Sequence, residues 1–195
     1  MNKTKRKIYT SENYKSSNGM LTYVWGPALW HVLHTISFNY PSSPSISEKK
    51  HYMTFITGLR NVLPCKYCRI NFAKNLKKRP INIQTMESRD TFSRYVYQLH
   101  EDINSMLNKT SGLSYEMVRD RYENFRARCL ISPTDTPNPG TKIEEKGCTE
   151  PLIGKKSKCI LSIVPIDDPT PPFIINPQCI PKRKGCSKNR TIKKL

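Results

Sequence analysis

Residues 88–108, SRDTFSRYVYQLHEDINSMLN, hold the longest regular pattern in this chain of 195 residues. Apolar residues recur every three or four positions, at Phe92, Tyr95, Val96, Leu99, Ile103, Met106 and Leu107. Residues at this spacing share one face of an α-helix, whereas a half-buried strand would alternate. The stretch therefore predicts a long helix that buries this face.

The same periodicity extends the helical prediction to both sides of this stretch. Apolar spacing and start or stop signals predict helices at residues 26–38, 45–63, 65–77 and 114–129. Ser45 and Glu48 are spaced as a capping box, and Pro64 ends the second helix. Nothing in residues 1–132 alternates like a strand. The prediction is an all-α bundle with short connections.

Composition divides the chain into three parts. Residues 1–21 are polar and basic, which predicts a flexible arm. Residues 22–131 contain the periodic segments and predict one domain. Residues 132–195 are rich in proline, which interrupts helices, and predict an irregular extension. Four of the seven cysteines lie in this extension, at Cys148, Cys159, Cys179 and Cys186. Either disulfides or a metal staple this extension, or it is an extended arm that carries thiols.

Charge and hydropathy limit the function classes. The net charge of +18 would attract acidic proteins, nucleic acid or anionic surfaces, although solvated surface lysines explain much of it equally well. No apolar run is long enough for a membrane-spanning helix, and residues 1–15 lack the apolar segment of a signal peptide. We therefore expect a soluble, unprocessed chain. An odd number of cysteines without a secretory signal favours catalytic or metal chemistry.

The motif Cys65-Lys66-Tyr67-Cys68 is the main chemical signal. Two thiols at this spacing can close into a disulfide and reopen. The positive end of the helix, with Lys66 and Arg69, favours a thiolate at Cys65. Cys65 is therefore predicted to exchange with substrate, and Cys68 to resolve the mixed disulfide. The motif alone would also suit half of a zinc site or a thioredoxin-type pair, but no second such motif and no βαβ pattern is present.

Two pairs of residues flank this motif at helical spacing. Trp30 and His34 are four residues apart on one predicted helix, and His100 and Asn104 repeat that spacing on another. Singly, such residues usually belong to a core or a boundary. Together, the two faces around a dithiol predict a clamp for a planar redox cofactor.

Four motifs resemble, in order and spacing, the Erv/ALR family of flavin-linked sulfhydryl oxidases. They are GPALWHVLHT at 26–35, Tyr40-Pro41, Pro64-Cys65-Lys66-Tyr67-Cys68, and HEDIN at 100–104 with Leu107 and Lys109. Residues 115–129 resemble the branch of this family that large DNA viruses encode. The resemblance covers about residues 22–130.

This resemblance implies a four-helix bundle plus a short fifth helix, a homodimer, and FAD bound non-covalently in each bundle. By match of position, the cofactor-binding residues would be Gly26, Trp30, His34, His100, Asn104, Lys109, Arg121 and Tyr122. Cys68 would pass electrons to the flavin, Cys65 would meet protein thiols, and oxygen would be reduced to hydrogen peroxide. No metal is expected. A viral oxidase of this kind would act in the host cytoplasm or be packed in virions.

The chain departs from the family pattern at several positions. Pro27 stands where an arginine often follows the glycine of the first motif, and Glu101 replaces the usual asparagine. Cellular members join the fourth and fifth helices by a disulfide, and those positions are Tyr97 and Ser114 here. Because both partners are absent together, another contact is expected to hold the fifth helix.

Two alternatives to a thiol oxidase remain at this point. One is a basic zinc- or nucleic-acid-binding module, in which Cys65, Cys68 and a histidine hold metal. Aromatic residues do not alternate with the basic clusters and no nucleic-acid motif is present, so no specific nucleic-acid partner is expected. The other is a scaffold or adaptor that acts through the proline-rich extension.

Overall fold

A computed structural model of the chain describes residues 9–128, 148, 150–156, 159–160, 163–165 and 167–169. Its helices are α1 (Ser11–Lys15), α2 (Thr22–Phe38), α3 (Ile46–Val62), α4 (Lys66–Lys78), α5 (Arg89–Met106) and α6 (Tyr115–Glu123). Two short strands, β1 (Ala127–Arg128) and β2 (Glu150–Pro151), pair antiparallel. The all-α fold class is confirmed.

Each of the five predicted helical segments is a helix in the structure. α2 packs against α5 and α6, α3 packs against α4, and α4 packs against α5. The division into a four-helix bundle plus a fifth helix, and the three domain boundaries, stay predictions. Most of the predicted extension, with Cys179 and Cys186, lies outside the described residues, as do Cys129 and residues 1–8.

The last predicted helix is shorter than expected. α6 ends at Glu123, and residues 127–128 form a strand, so the prediction of no strand in residues 1–132 is wrong at this point. The Leu152 amide also donates to the Arg126 carbonyl at 2.7 Å. The partner strand comes from beyond residue 132, so no local pattern could indicate this pairing.

Local signals explain where the other helices begin. The Ser45 hydroxyl accepts from the Glu48 amide, and the Glu48 carboxylate accepts from the Ser45 amide at 2.7 Å, which confirms the capping box. α2 begins at Thr22, four residues before the predicted start. Pro27 therefore lies in the second turn rather than the first, where its missing N–H removes one helical hydrogen bond.

The core lies between α2, α3, α4 and α5. Its most deeply buried side chains are Leu33, Tyr40, Ile56, Met86, Phe92, Val96 and Leu99. Burying each large apolar side chain contributes about 1.5–3 kcal/mol to stability. A second cluster, made by Phe38, Tyr115 and Val118, joins α2 to α6. It supplies a contact that holds α6 without a disulfide, as does the Tyr97 hydroxyl, which donates to the Leu113 carbonyl at 2.7 Å.

Within the described ranges, no helix combines the length and the apolar character that a bilayer span requires.

Candidate active site

Cys65 and Cys68 form a disulfide at the start of α4, with their Cα atoms 5.1 Å apart. Cys65 is the N-cap residue of this helix, and its Sγ accepts a hydrogen bond from the Cys68 amide at 3.2 Å. The Cys65 sulfur therefore lies at the positive end of the helix dipole. The structure brings the two predicted redox thiols together as a closed pair.

The two sulfurs have different surroundings. Cys68 packs against the hydrophobic core, and its Sγ lies 3.5 Å from Thr22 Oγ1 on α2. Cys65 sits in the connection before α4, next to exposed Lys66. This difference supports Cys65 as the outer, exchanging thiol and Cys68 as the inner one.

An extended segment from the N-terminal region lies against the loop that carries Cys65. The Met20 amide donates to the Pro64 carbonyl at 2.7 Å, and the Lys66 amide donates to the Asn18 carbonyl at 3.0 Å. We call residues 18–20 the strap. The sequence placed them in a flexible arm, because no local pattern signals a partner 46 residues away, as Cys65 is from Gly19.

Gly19 is the residue of the strap that lies opposite Cys65. Its φ is +111°, and a Cβ atom built there would be 2.5 Å from the Pro64 oxygen and 2.6 Å from the Cys65 Cα. Since both atoms belong to the backbone, neither can turn aside. Only glycine allows the strap to approach this closely.

A row of side chains runs along α2 from the disulfide toward α6. Its members are four residues apart, at Thr22, Gly26, Trp30, His34 and Phe38. Consecutive residues at this spacing are neighbours on a helix, and the row extends about 24 Å at 1.5 Å per residue while it winds gradually around the helix axis. The first member contacts Cys68, and the last two are buried.

The two predicted ring-bearing faces meet in the middle of this row. The Trp30 ring stacks on His100 with centroids 3.9 Å apart and planes 5° apart. His34 Nε2 and His100 Nδ1 are hydrogen-bonded at 3.0 Å. The faces of α2 and α5 thus come together as predicted. Because their rings touch, a planar ligand would contact the edge of this stack rather than lie between Trp30 and His100.

Both histidines are neutral at pH 7. Burial lowers the pKa of His34 to about 3, and the nearby His100 and His31 add to the effect. Burial likewise lowers the pKa of His100 to about 4. A neutral imidazole carries one donor and one acceptor, so the pair can share one hydrogen bond without charge.

One buried polar atom at this site has no partner. Among the described residues, His34 Nδ1 is a buried side-chain nitrogen without a hydrogen bond. The great majority of buried polar atoms in proteins have a hydrogen-bond partner, and each exception needs an explanation. A ligand with a hydrogen-bonding edge beside His34 would supply the partner. The donor set therefore fits a ring system such as a flavin.

Tyr122 brings α6 to the same cluster. Its hydroxyl is 3.2 Å from His31 Nδ1, and its ring stacks on Phe38 with centroids 5.4 Å apart. Burial raises the pKa of Tyr122 to about 12, so the hydroxyl stays protonated. The sequence did not indicate His31 or Phe38 as part of the site. Their positions on α2, within one turn of His34, were the available signal.

Three further predicted residues have contacts of their own. Asn104 Nδ2 donates to Glu101 Oε1 at 3.0 Å, so Glu101, a departure from the family pattern, holds Asn104 in place. Lys109 Nζ lies 5.0 Å from the centroid of the Tyr23 ring near the start of α2. Arg121 is half-buried on α6, and its positive charge acts on the neighbouring Tyr122, where it lowers the pKa and so opposes the larger effect of burial.

The described residues give no support to a zinc site. Nowhere in them do three or more His, Cys, Asp or Glu side chains come close enough to hold a metal ion. Both thiols of the motif are joined to each other. The metal-binding alternative is therefore not supported.

Fold and site together define an all-α domain that holds a Cys-x-x-Cys disulfide beside neutral, ring-bearing side chains. Residues 27–123 match the Erv1 / Alr family. The chain belongs to this family, as the sequence motifs predicted.

Relatives from viruses and from yeast match the same region. A probable FAD-linked sulfhydryl oxidase of Acanthamoeba polyphaga mimivirus is 34% identical over 85 residues, which is 44% of this chain and 59% of the relative. An FAD-linked sulfhydryl oxidase of African swine fever virus is 28% identical over 99 residues, 51% of this chain and 80% of the relative. The mitochondrial FAD-linked sulfhydryl oxidase of Saccharomyces cerevisiae is 27% identical over 84 residues, 43% of each chain.

A solved structure of the yeast Erv1 core is also similar. It has a TM-score of 0.47 and 22% sequence identity, and the match covers 62% of this chain and 92% of that one. The matched region spans 59% of the mimivirus relative and 43% of the yeast relative, so it represents less than two thirds of either protein.

Proposed function

We propose that this protein is an FAD-dependent thiol oxidase that forms disulfides in protein substrates. The observation that carries the proposal is the Cys65–Cys68 disulfide at the start of α4, with Cys68 in contact with the row of side chains on α2. Membership of the Erv1/Alr family supports it, since the viral and yeast relatives are named FAD-linked sulfhydryl oxidases.

The first half of the reaction uses the disulfide alone. A substrate thiolate attacks Cys65 Sγ, the bond between the two cysteines breaks, and Cys68 leaves with the electron pair as a thiolate. A second substrate thiolate then attacks the substrate sulfur of the mixed disulfide and releases Cys65. Two electrons pass from the substrate to the cysteine pair, and the substrate protons go to water. The Cys68 amide and the dipole of α4 stabilise the thiolate that forms at Cys65.

The second half requires a cofactor, and the ring cluster is the proposed place for it. When bound, FAD would accept two electrons from the reduced cysteine pair and pass them to oxygen, which gives hydrogen peroxide. The proposed contacts are Gly26, Trp30, His34, His100, Asn104, Lys109, Arg121 and Tyr122.

The side chains of the cluster would bind and orient this cofactor in different ways. Trp30 and Tyr122 offer ring surface, and the free nitrogen of His34 offers a hydrogen bond. Because burial keeps His34 and His100 neutral, they add no charge beside the rings. Lys109 supplies a positive charge beside Tyr23 near the start of α2, and such a charge would attract phosphate groups.

Three single variants test the proposal in the full-length protein. The wild type should be yellow and should consume oxygen with a dithiol. Cys68→Ser should keep the flavin and abolish oxygen consumption, and Cys65→Ser should abolish disulfide formation in a protein substrate. Cys159→Ser, at an exposed position, is the matched control and should retain activity. A colourless, folded preparation, or stoichiometric zinc without flavin, would reject the proposal.

Assembly and location are part of the same proposal. The protein is a homodimer that acts in the host cytoplasm or in virions. Half-exposed apolar side chains on α2 and α3, such as Val32 and Phe55, support association because a partner would remove them from water. Light scattering of the purified protein measures the mass directly, and a monomer at micromolar concentration would contradict the dimer.

A further inference from the structure

The exposed face of α4 begins beside the disulfide. Its solvent-facing side chains are Lys66, Tyr67, Ile70, Lys74, Lys77 and Lys78. Each of them has another member of this set three or four residues away, so they form one continuous stripe along the helix. We call this stripe the α4 face.

The charge of α4 has one sign. The helix contains five cationic residues and no Asp or Glu. One of them, Arg69, turns inward and donates to the Leu63 carbonyl at 2.6 Å. The four lysines remain exposed on the α4 face. Among the residues that the structure describes, no carboxylate lies within ion-pair distance of these lysines.

Two cationic side chains on α5 and α6 do have such partners. On α5 and α6, the arginines at 94 and 119 each pair with a carboxylate. On α5, both carboxylate oxygens of Asp102 accept from Arg79, at the C-terminal end of α4, at 2.5 and 3.1 Å. The lysines of the α4 face are therefore not neutralised by any described carboxylate. Their positive electrostatic potential extends into the solvent.

Apolar side chains accompany this charge close to the reacting sulfur. Tyr67 is 73% exposed, and Val62, at the end of α3, is 71% exposed. Each lies within three residues of Cys65. Large apolar side chains do not contribute to solubility. They are common on surfaces that bind a protein segment, where aromatic residues are enriched.

We propose that the α4 face binds an acidic segment of the protein substrate and thereby brings the substrate thiol to Cys65. The inference rests on the proposed thiol oxidase function and names the class of substrate. Opposite charges accelerate association and orient the partner before contact, and the effect on rate is about 10- to 1,000-fold. The thiol exchange is the one written above, so docking changes its rate and selectivity but not its chemistry.

A pair of dithiol peptides tests the proposal. Both contain the same Cys-x-x-Cys core, one with Asp and Glu in its flanks and the other with Lys. At low salt, the full-length protein should oxidise the acidic peptide with a kcat/KM at least about tenfold higher than the basic one. At about 0.5 M salt, where screening shortens the range of charges to a few ångströms, the preference should largely disappear.

A charge-reversal variant localises the effect. Lys74→Glu combined with Lys77→Glu should remove or invert the ratio of the two kcat/KM values. The matched control is Lys155→Glu with Lys156→Glu, since these exposed lysines follow a strand that is joined to Arg126 at the far end of α2. The control should keep both the basal activity and the preference.

Binding of labelled peptides in which serine replaces both cysteines gives a readout that needs no turnover. Tighter binding of the acidic peptide, lost in the Lys74→Glu/Lys77→Glu variant and kept in the control, supports the proposal. Equal binding of the two peptides, or an equal loss in both variants, overturns it. Failure of the proposed function has a different signature, because the wild type would then oxidise no dithiothreitol even where the acidic peptide binds.

Discussion

Replacing Gly19 by alanine should detach the strap from the loop that carries Cys65. The new Cβ would lie 2.5 Å from the Pro64 oxygen and 2.6 Å from the Cys65 Cα, so the backbones have to separate. Separation breaks two hydrogen bonds, at 2.7 and 3.0 Å, each worth about 1 kcal/mol. The positive φ adds roughly 1 kcal/mol for a residue with a side chain. The docking of the strap is therefore weakened by about 2–3 kcal/mol.

Hydrogen exchange of single amides measures this effect where it occurs. The Met20 and Lys66 amides make the two bonds to be broken, and a loss of 2 kcal/mol accelerates their exchange roughly 30-fold. Dithiothreitol should also reduce the Cys65–Cys68 disulfide faster, because the strap no longer covers the Cys65 backbone. Melting temperature should change little, since the strap is exposed and lies outside the core.

Gly112→Ala is the matched control. Gly112 also has a positive φ, +64°, but a Cβ there has nothing within 4 Å. The variant therefore carries conformational strain without the collision, and it should leave the exchange of both amides unchanged. If Gly19→Ala kept the Lys66 amide as protected as in the wild type, the strap would not depend on the absent side chain and the reasoning would be refuted.

Three further predictions concern the ring cluster and the inner thiol. Thr22→Val removes the hydroxyl next to Cys68 Sγ, so the thiolate loses about 1.5 kcal/mol of stabilisation and oxygen consumption with a dithiol slows roughly tenfold. Tyr122→Phe removes the hydrogen bond between the Tyr122 hydroxyl and His31, and it lowers the free energy of unfolding by about 1 kcal/mol in urea titrations. Lowering the pH from about 6.5 to 4 should decrease that free energy by up to about 1.4 kcal/mol per pH unit for each of His34 and His100, because burial depresses their pKa and the unfolded chain takes up protons first.

The first two of these predictions each have a control at an exposed position of similar chemistry. Thr35→Val, on the same helix, should not slow the oxidation, and Tyr67→Phe should not change the unfolding free energy. For the pH dependence the check is His34→Phe, which should reduce it. A pH slope that stays the same in His34→Phe would show that other groups cause the acid sensitivity.

The parts of the structure that depend on local pattern could be predicted from the sequence. The spacing of Phe92, Val96 and Leu99 predicted the buried face of α5, and these side chains are at most 1% exposed. The buried face of α5 was predicted too long, because Met106 and Leu107 lie beyond the core and are 41% and 50% exposed. Periodicity identifies a face but not where its partner helices end.

The candidate site could be predicted to the level of its ring-bearing residues. Residues four apart share a helix face, so the pairs at Trp30/His34 and His100/Asn104 were expected on facing helices, and Trp30, His34 and His100 do meet. The hydrogen bond between the two imidazoles and their neutral state follow from burial, which depends on packing. The sequence alone contains no measure of it.

The strap and the strand pair could not be predicted, because both join segments that are distant in the chain. Gly19 has a reason to be glycine only when the Pro64 carbonyl lies beside it. Likewise, Ala127 and Arg128 become a strand only when Glu150 and Pro151 pair with them. Each of these strands has two residues, which is too few for a detectable alternation of apolar and polar side chains.

The most direct test of the account is the absorbance spectrum of the full-length protein, recorded without oxygen before and after addition of dithiothreitol. The account predicts one flavin per chain, whose colour is lost on reduction and returns with air, and a Cys68→Ser variant that keeps the flavin but fails to lose its colour. A folded protein without flavin would contradict the account, as would a Cys68→Ser variant whose flavin is reduced as fast as in the wild type.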